Sequence, residues 1–382
     1  MNYRKFGKLN FDVSAIGFGC MRFPTIDSAE NKVDIPETIK MLRAGIDGGI
    51  NYVDTAYIYH GGESESILGQ ALRDGYRKKV KVATKFPSFR AQNKEDFDKF
   101  LDEQLKRLET DHIEFYFMHS LDWNSWENVI LKFDCLERAE RAKKAGKIGH
   151  IGFSFHDELE PFRKIVDGYD KWEFCMIQLN YLNEQYQQGL EGLAYLEEKG
   201  IPAIIMEPLL GGKLANLPDK AVDIFKKANP GRTPAEWAFN YLWDMPGVTT
   251  VISGMSTLKQ VEENLEFAAR SSVGMLSDAD KAAIKAVQEE MLAIKSVPCT
   301  KCNYCLPCPR GVDIPRNFEI YNSLATFGND FRSKMQYAML KRDEHEKSAN
   351  NCFKCGKCVP LCPQRINIAD ELEIVKLTLS AQ

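Results

Sequence analysis

From Ser14 onward, short runs of apolar and β-branched residues alternate with longer stretches in which apolar positions recur with helical period. The short runs predict strands at Ser14–Gly19, Asn51–Ala56, Val80–Lys85, Ile113–His119, Ile148–Phe153, Met176–Leu179, Ala203–Glu207 and Thr250–Gly254. Between them lie amphipathic segments such as IPETIKMLRAGIDGG and DFDKFLDEQLKRLE, several closed by the glycine that helix C-termini favour. Eight strands, each followed by a helix within about 270 residues, match the size and strand count of a (β/α)8 TIM barrel. A doubly wound sheet would bring a glycine fingerprint after its first strand. Here Gly17-Phe18-Gly19-Cys20-Met21-Arg22 lacks the third glycine and runs into Phe23-Pro24.

Thr257 to Ala269 reads as the last barrel helix, and Ser277 to Ile294 as another, opened by a Ser277 cap and the acidic residues Asp278 and Asp280. The expected division is a barrel over 1–275, a linker helix over 276–296 and a small, mainly helical domain over 297–382. Composition supports this split, because eight of the eleven cysteines lie after position 298. Such clustering in a large chain argues for metal rather than disulfides. The formal net charge is −4, with both signs interspersed, so no basic face points to nucleic acid or anionic lipid. The opening MNYRKFGKLNFDVS has no secretory core, and no apolar run reaches the roughly 18 residues of a membrane span. A cytoplasmic protein is expected.

In a parallel barrel the catalytic groups come from the C-terminal ends of several strands. The second strand ends in Asp54, with Tyr57 and Tyr59 in its loop; the third ends in Lys85, and the fourth in His119. Together these groups suit a proton moved on or off an oxygen bound to carbon. Tyrosine, with a pKa near 10, is a weak acid at neutral pH. A neighbouring ammonium is expected to lower it, with Asp54 holding Lys85 charged and in place. A histidine at hydrogen-bonding distance can orient a carbonyl.

The opening Tyr3-Arg4-Lys5-Phe6-Gly7, the strand Val13–Gly19, and the set Asp54-Thr55-Ala56, Tyr59, Gly62, Glu65 and Leu68-Gly69 resemble the aldo-keto reductase family. That resemblance covers about residues 3 to 270. It implies reduction of a carbonyl with a nicotinamide cofactor, and it sets the catalytic tetrad on Asp54, Tyr59, Lys85 and His119, with Tyr59 rather than Tyr57 as the acid.

The same resemblance implies cofactor contacts. Ser154 and Gln178 would meet the nicotinamide amide, although Phe155 stands where the family has an asparagine. Met206 takes the place of the usual stacking tyrosine, and a thioether can pack on a ring. Leu209, Gly211 and Gly212 would form the pyrophosphate loop. Gly254, Ser256, Gln260, Glu263 and Asn264 fall at the adenosine end, where backbone amides suit a phosphate. Gly254 and Gln260 stand where NADP-preferring members carry basic residues, so NADP and NAD both stay open. Phe86, Phe89, Trp123 and Trp126 are candidate pocket walls.

After Pro298 come Cys299-x2-Cys302-x2-Cys305-x2-Cys308-Pro309 and then Cys352-x2-Cys355-x2-Cys358-x3-Cys362-Pro363. The second run has the spacing of bacterial ferredoxins, whose fourth cysteine serves the other cluster. That likeness implies two [4Fe–4S] clusters, one on Cys299, Cys302, Cys305 and Cys362 and one on Cys352, Cys355, Cys358 and Cys308. The helical stretch between the runs resembles the α-helical ferredoxin module of succinate dehydrogenase-like subunits. A recognisable subgroup of aldo-keto reductases carries such a module.

Two functions fit. One is an NAD(P)-dependent oxidoreductase acting on a small carbonyl or alcohol, with clusters that trade electrons with a redox protein partner or are structural or redox-sensing. The other is an iron–sulfur electron carrier in which the barrel is a docking scaffold. A hydride moves two electrons and a cluster usually one, and no flavin motif is visible to join them.

Overall fold

The computed structural model describes residues 1–27, 32–294, 297–299, 301–328, 331–343 and 346–380. They form two compact units: Met1–Leu214 with Ala235–Asp278, and Ala215–Pro234 with Ala279–Gln382.

The first unit is a closed barrel of eight parallel strands: β1 (Ile16–Gly19), β2 (Tyr52–Asp54), β3 (Lys81–Phe86), β4 (Ile113–Leu121), β5 (Ile148–Phe155), β6 (Phe174–Gln178), β7 (Ala203–Met206) and β8 (Val248–Gly254). Each strand pairs with the next, and β8 closes on β1 through Val251 opposite Ile16. All eight sequence-expected strands are present. The fourth continues two residues past His119, across an irregularity at Ser120, whose φ is 56°.

The barrel floor follows from an antiparallel hairpin, Tyr3–Lys5 with Asp12–Ser14. It delivers Phe6, fully buried, onto Phe115 at 4.8 Å between ring centroids and beside Tyr52 and Phe174. Tyr52, Ala83, Phe115, Phe117, Phe174, Met176, Ile204 and Ile252 fill the interior above it. Alternate strand residues face the same way. The next inward positions, one step toward the strand ends, are therefore Asp54, Lys85, His119, Gln178, Met206 and Gly254. Packing below and chemistry above are set by one alternation. Gly152 is part of this fit, since a Cβ there would lie 2.4 Å from the Phe174 carbonyl.

The helices form by amphipathic periodicity and explicit caps. In α1 (Ile35–Asp47) the Asp34 carboxylate accepts from the Glu37 amide at 3.1 Å. In α2 (Asp96–Arg107) the inward stripe is Phe97, Phe100, Leu101 and Leu105, joined by one polar residue, Gln104. The final barrel helix, α3 (Leu258–Ala269), is capped by Thr257, as its sequence implies.

The second unit is helical: α4 (Asp278–Ala293), α5 (Ile314–Phe327), α6 (Phe331–Arg342) and α7 (Ile368–Ser380), together with Asp219–Ala228. Its core gathers Val312, Ile314, Phe318, Ile320, Leu324, Ile366, Leu372 and Val375. Two buried asparagines tie in the irregular chain. Asn317 donates to the carbonyls of Asp313 and Lys347, at 2.7 and 2.9 Å, and accepts from the Ala349 amide at 2.8 Å. Asn322 exchanges two hydrogen bonds with the backbone of Val297. These bonds pair backbone groups that burial would otherwise leave without partners. No helix among the described residues is long and apolar enough to cross a membrane.

Candidate active site and cysteine loops

Adjacent strand ends place Asp54 and Lys85 against each other, 2.5 Å from Oδ1 to Nζ, with both side chains almost wholly buried. Lys85 also donates to the Thr55 carbonyl at 2.7 Å. Its ammonium lies 5.0 Å from the ring centroid of Tyr59, which the loop after β2 lays across the barrel mouth. The Tyr59 ring meets His119 edge-on, at 6.3 Å between centroids. The four residues expected to act together are thus neighbours. Asp54 Oδ2 and His119 Nδ1 are buried with no hydrogen-bond partner among the described residues.

The electrostatics partly reverse the sequence expectation. Burial raises the Tyr59 phenol above its ordinary pKa; Lys85 pulls it down, but burial wins, helped by Asp54. The expected net lowering of Tyr59 is therefore absent here. Burial also raises Asp54, against the pull of Lys85. His119 sits well below the usual histidine range, first because it is desolvated and then because Lys85 and His156 are close. A neutral imidazole beside a phenol that keeps its proton can position and protonate a carbonyl oxygen.

A buried network behind the tetrad escaped the sequence reading. The Glu65 carboxylate accepts from Thr84 at 2.6 Å and Gln104 at 2.7 Å, while Arg107 reaches its other oxygen at 3.3 Å. Gln104 also donates to the Lys85 carbonyl at 3.0 Å and accepts from the Tyr116 hydroxyl at 2.7 Å. The Lys85 strand end is thereby fixed from outside the barrel. Glutamine inside an amphipathic helix gives no sequence signal of this.

Of the residues expected at the nicotinamide, Ser154 is buried and accepts from the Ser120 amide at 2.7 Å, in the left-handed turn at Ser120. Gln178 is buried at the end of β6, and its carbonyl accepts from Gln188 at 2.9 Å. Met206 ends β7. Phe155, at the asparagine position, is a core residue packed on Phe162 at 4.9 Å. Of the four aromatic wall candidates, Phe89 stands 5.7 Å from His119 and is exposed, whereas Phe86 and Trp126 are buried against Phe97 and Trp172. Trp123 lies under the Lys164 ammonium.

Leu209 leads into Gly211 and Gly212, at φ 70° and 93°, and a Cβ at Gly212 would meet nothing within 4 Å. Backbone there is open to close approach. At the adenosine end, Gln260 accepts from the Ser256 amide at 2.7 Å and Asn264 donates to Ser253 at 3.2 Å. Glu263 pairs with Lys259 at 3.6 Å in an exposed pair. Arg22 completes this corner: its side chain lies 3.1 Å from where a Gly254 Cβ would stand, and its carbonyl accepts from Ser256 at 2.8 Å. Sequence reading passed over it as part of a failed glycine motif.

In the second unit the two cysteine loops share one backbone course. Lys301 and Asn303 have φ 57° and 63°; Lys354 and Gly356, two and four residues after Cys352, have φ 56° and 72°. Cys299, Cys302, Cys305 and Cys362 line a hollow together with Ile314, Phe318 and Ile366. Cys358 in turn lies within electrostatic reach of Cys352, Cys355 and Cys308. Burial raises the thiols of Cys299, Cys305 and Cys358. Among the described residues no three such side chains converge as around a single ion. Thiols gathered around a hollow, as at Cys299, Cys302, Cys305 and Cys362, fit a multi-atom iron–sulfur group, whose iron would hold them deprotonated.

The aldo/keto reductase family profile matches residues 15–289, and a 4Fe-4S dicluster profile matches residues 298–366. The chain belongs to the aldo/keto reductase family. This aldo-keto reductase is 27% identical over 303 residues to the uncharacterised oxidoreductase YqkF of Bacillus subtilis, covering 70% of this chain and 91% of that one. It is 26% identical over 290 residues to L-galactose dehydrogenase of Arabidopsis thaliana, covering 69% and 86%. Among solved structures, an aldo-keto reductase of Klebsiella pneumoniae in complex with NADP and acetate aligns with TM-score 0.61 and 25% identity, covering 75% of this chain and 95% of that one. The holo form of a Bacillus halodurans aldo-keto reductase shares the fold, with TM-score 0.61, 24% identity and coverage of 75% and 96%. Family membership makes this protein an NAD(P)-dependent oxidoreductase with a C-terminal 4Fe-4S domain.

Proposed function

We propose that this aldo-keto reductase catalyses reversible hydride transfer between NADP or NAD and a small carbonyl or alcohol, with Tyr59 as the proton donor. The observation that carries this reading is the meeting of buried Asp54, Lys85 and His119 with the partly buried Tyr59 at the strand ends. The bound nicotinamide supplies the hydride. Tyr59 gives its proton to the carbonyl oxygen, neutral His119 orients that oxygen, and the Lys85 ammonium, held by Asp54, stabilises the phenolate in place of the hydration that burial removes. Phe89 bounds the substrate side.

Ser154, Gln178 and Met206 hold the nicotinamide end, Leu209 and Gly211 the pyrophosphate, and Gly254, Ser256, Gln260, Glu263 and Asn264 the adenosine end. The working boundaries are 1–275 for the barrel, 276–296 for the linking helix and 297–382 for the iron–sulfur domain, in a cytoplasmic protein. Two [4Fe–4S] clusters on the crossed cysteine sets would supply one-electron transfer.

Tyr59→Phe tests the assignment in anaerobically prepared holoprotein. Carbonyl reduction is expected to fall by a factor of about 10² or more, with iron and sulfide content unchanged. Turnover equal to the native protein sinks the proton-donor role.

A further inference from the structure

The cysteine loops differ in charge from the rest of the chain. Residues 299–312 and 347–369 hold six basic and no acidic residues, in a protein of net charge −4. Local pairing accounts for only part of this excess. Lys301 reaches Glu319 at 2.6 Å, Lys347 reaches Asp343 at 3.0 Å, and Lys354 stands at 4.0 and 3.9 Å from Asp370 and Glu373, while Arg310, Lys357 and Arg365 make no ion pair among the described residues.

Around the second cysteine set the excess has a definite form. Cys355 is exposed, although it belongs to the four thiols about Cys358. Phe353, 61% exposed, carries the Arg310 guanidinium over its ring at 5.8 Å. Arg310 is anchored to the opposite loop: it donates to Asn351 Oδ1 at 3.2 Å, and its carbonyl accepts from Asn351 at 2.5 Å. Gly356 is open, since a Cβ there would meet nothing within 4 Å. The result is a bare backbone beside an exposed ligand, with an exposed aromatic ring and three cations around it.

We propose that this face, formed by Arg310, Phe353, Lys354, Cys355 and Lys357, docks an acidic one-electron carrier protein. The proposal rests on the reading that Cys352, Cys355, Cys358 and Cys308 hold a cluster. A buried aromatic with a cationic rim suits a transient complex steered by charge. Carboxylates of the partner meet Lys354, Lys357 and Arg310, and Phe353 is covered on contact. Each encounter moves one electron: the reduced carrier is oxidised by one electron and one [4Fe–4S] cluster is reduced by one, with no proton transferred. Nucleic acid, the other polyanion that a basic face could attract, is disfavoured by the small extent of the patch and the overall negative charge.

The probe is plant-type ferredoxin, an acidic [2Fe–2S] protein. Its oxidised form is titrated calorimetrically into the anaerobic, full-length holoprotein at ionic strengths of roughly 0.02 and 0.5 M, which span strong and weak screening. Binding is expected at low ionic strength and should be lost at high. The double variant Lys354→Glu/Lys357→Glu should weaken it at least tenfold with iron content unchanged. Lys354→Gln/Lys357→Gln gives a smaller loss and serves if charge reversal impairs iron loading. Stopped-flow mixing with reduced ferredoxin should show cluster bleaching slowed in the same order. Salt-independent binding, an unaffected double variant, or equally tight binding of a basic carrier such as cytochrome c overturns the proposal. A native protein that lacks iron, or whose visible band dithionite does not bleach, instead refutes the cluster reading on which it rests.

Discussion

The side-chain amide of Gln104 donates to the backbone carbonyl of Lys85 at 3.0 Å, so a helix outside the barrel holds the strand end that carries the buried ammonium. The same amide serves Glu65, and its carbonyl receives the Tyr116 hydroxyl. Gln104→Leu keeps the volume and removes all of these bonds, leaving a buried carboxylate and a buried phenol short of partners. Stability should fall by about 2–4 kcal/mol, read as a lower urea midpoint with unchanged slope. Turnover should fall more than substrate binding, because the displaced group is Lys85. An unchanged midpoint and turnover would show the network to be idle.

Lys85→Met leaves Asp54 buried without its cation. Breaking such a pair costs roughly 3–5 kcal/mol, and Asp54 should then take up a proton to escape the penalty. Carbonyl reduction should drop by at least about 10² at saturating cofactor. Recovery of activity at high pH in this variant would mean that Lys85 is not needed to steady the phenol.

The pH profile follows from the two shifted groups. Tyr59 must be protonated to act as an acid, and burial raises its pKa, so the reduction rate should stay level through neutral pH and fall only above about 10. A decline near pH 8 counts against Tyr59 as the donor. For His119 the folded pKa is depressed below the unfolded value of about 6.5. Between the two values the unfolded chain binds the extra proton, so His119 erodes stability as pH falls below about 6.5. His119→Gln should flatten that acid limb, measured as the urea midpoint against pH.

Arg22 supplies a cation beside the proposed adenosine corner, where Gly254 and Gln260 occupy the positions at which basic residues were sought and Lys259 is paired with Glu263. Arg22→Ala should weaken NADP or NAD binding roughly tenfold, about 1.4 kcal/mol, while leaving kcat at saturation intact. Fluorescence titration with each cofactor checks this. A larger loss for NADP than for NAD would assign Arg22 to the extra phosphate.

Cys362→Ser separates crossed from sequential ligation. Crossed, it opens the set containing Cys299 and spares the set containing Cys352, although Cys362 lies in the second run. Half the iron should remain, and the remaining cluster should respond to Cys352→Ser and not to Cys299→Ser.

What the sequence discloses and what it hides have physical reasons. Asp54, Lys85 and His119 were legible because each ends a short apolar strand, where a charged or polar residue interrupts an otherwise buried run. Gln104 was not, and Glu65 was seen only as part of a motif, since polar residues on helices ordinarily face water and their burial is decided by distant partners such as Tyr116 and Thr84. The ammonium's effect on Tyr59 was foreseen in sign but not in outcome, because burial depends on how completely the loop after β2 closes over the ring. Arg22 was missed because its neighbour, Gly254, is more than two hundred residues away. The two cysteine runs stand out by their spacing, but the asparagines that lash their loops together do not.

The hollow ringed by Cys299, Cys302 and Cys305 is closed by Cys362, from the far end of the domain. During synthesis the first three thiols emerge well before their fourth partner, and a ribosome-bound chain holds only an unfinished ring. With Cys362 as the proposed fourth ligand, iron delivery to this set would wait for synthesis of nearly the whole polypeptide, and loss of the last twenty-odd residues would take that ligand away.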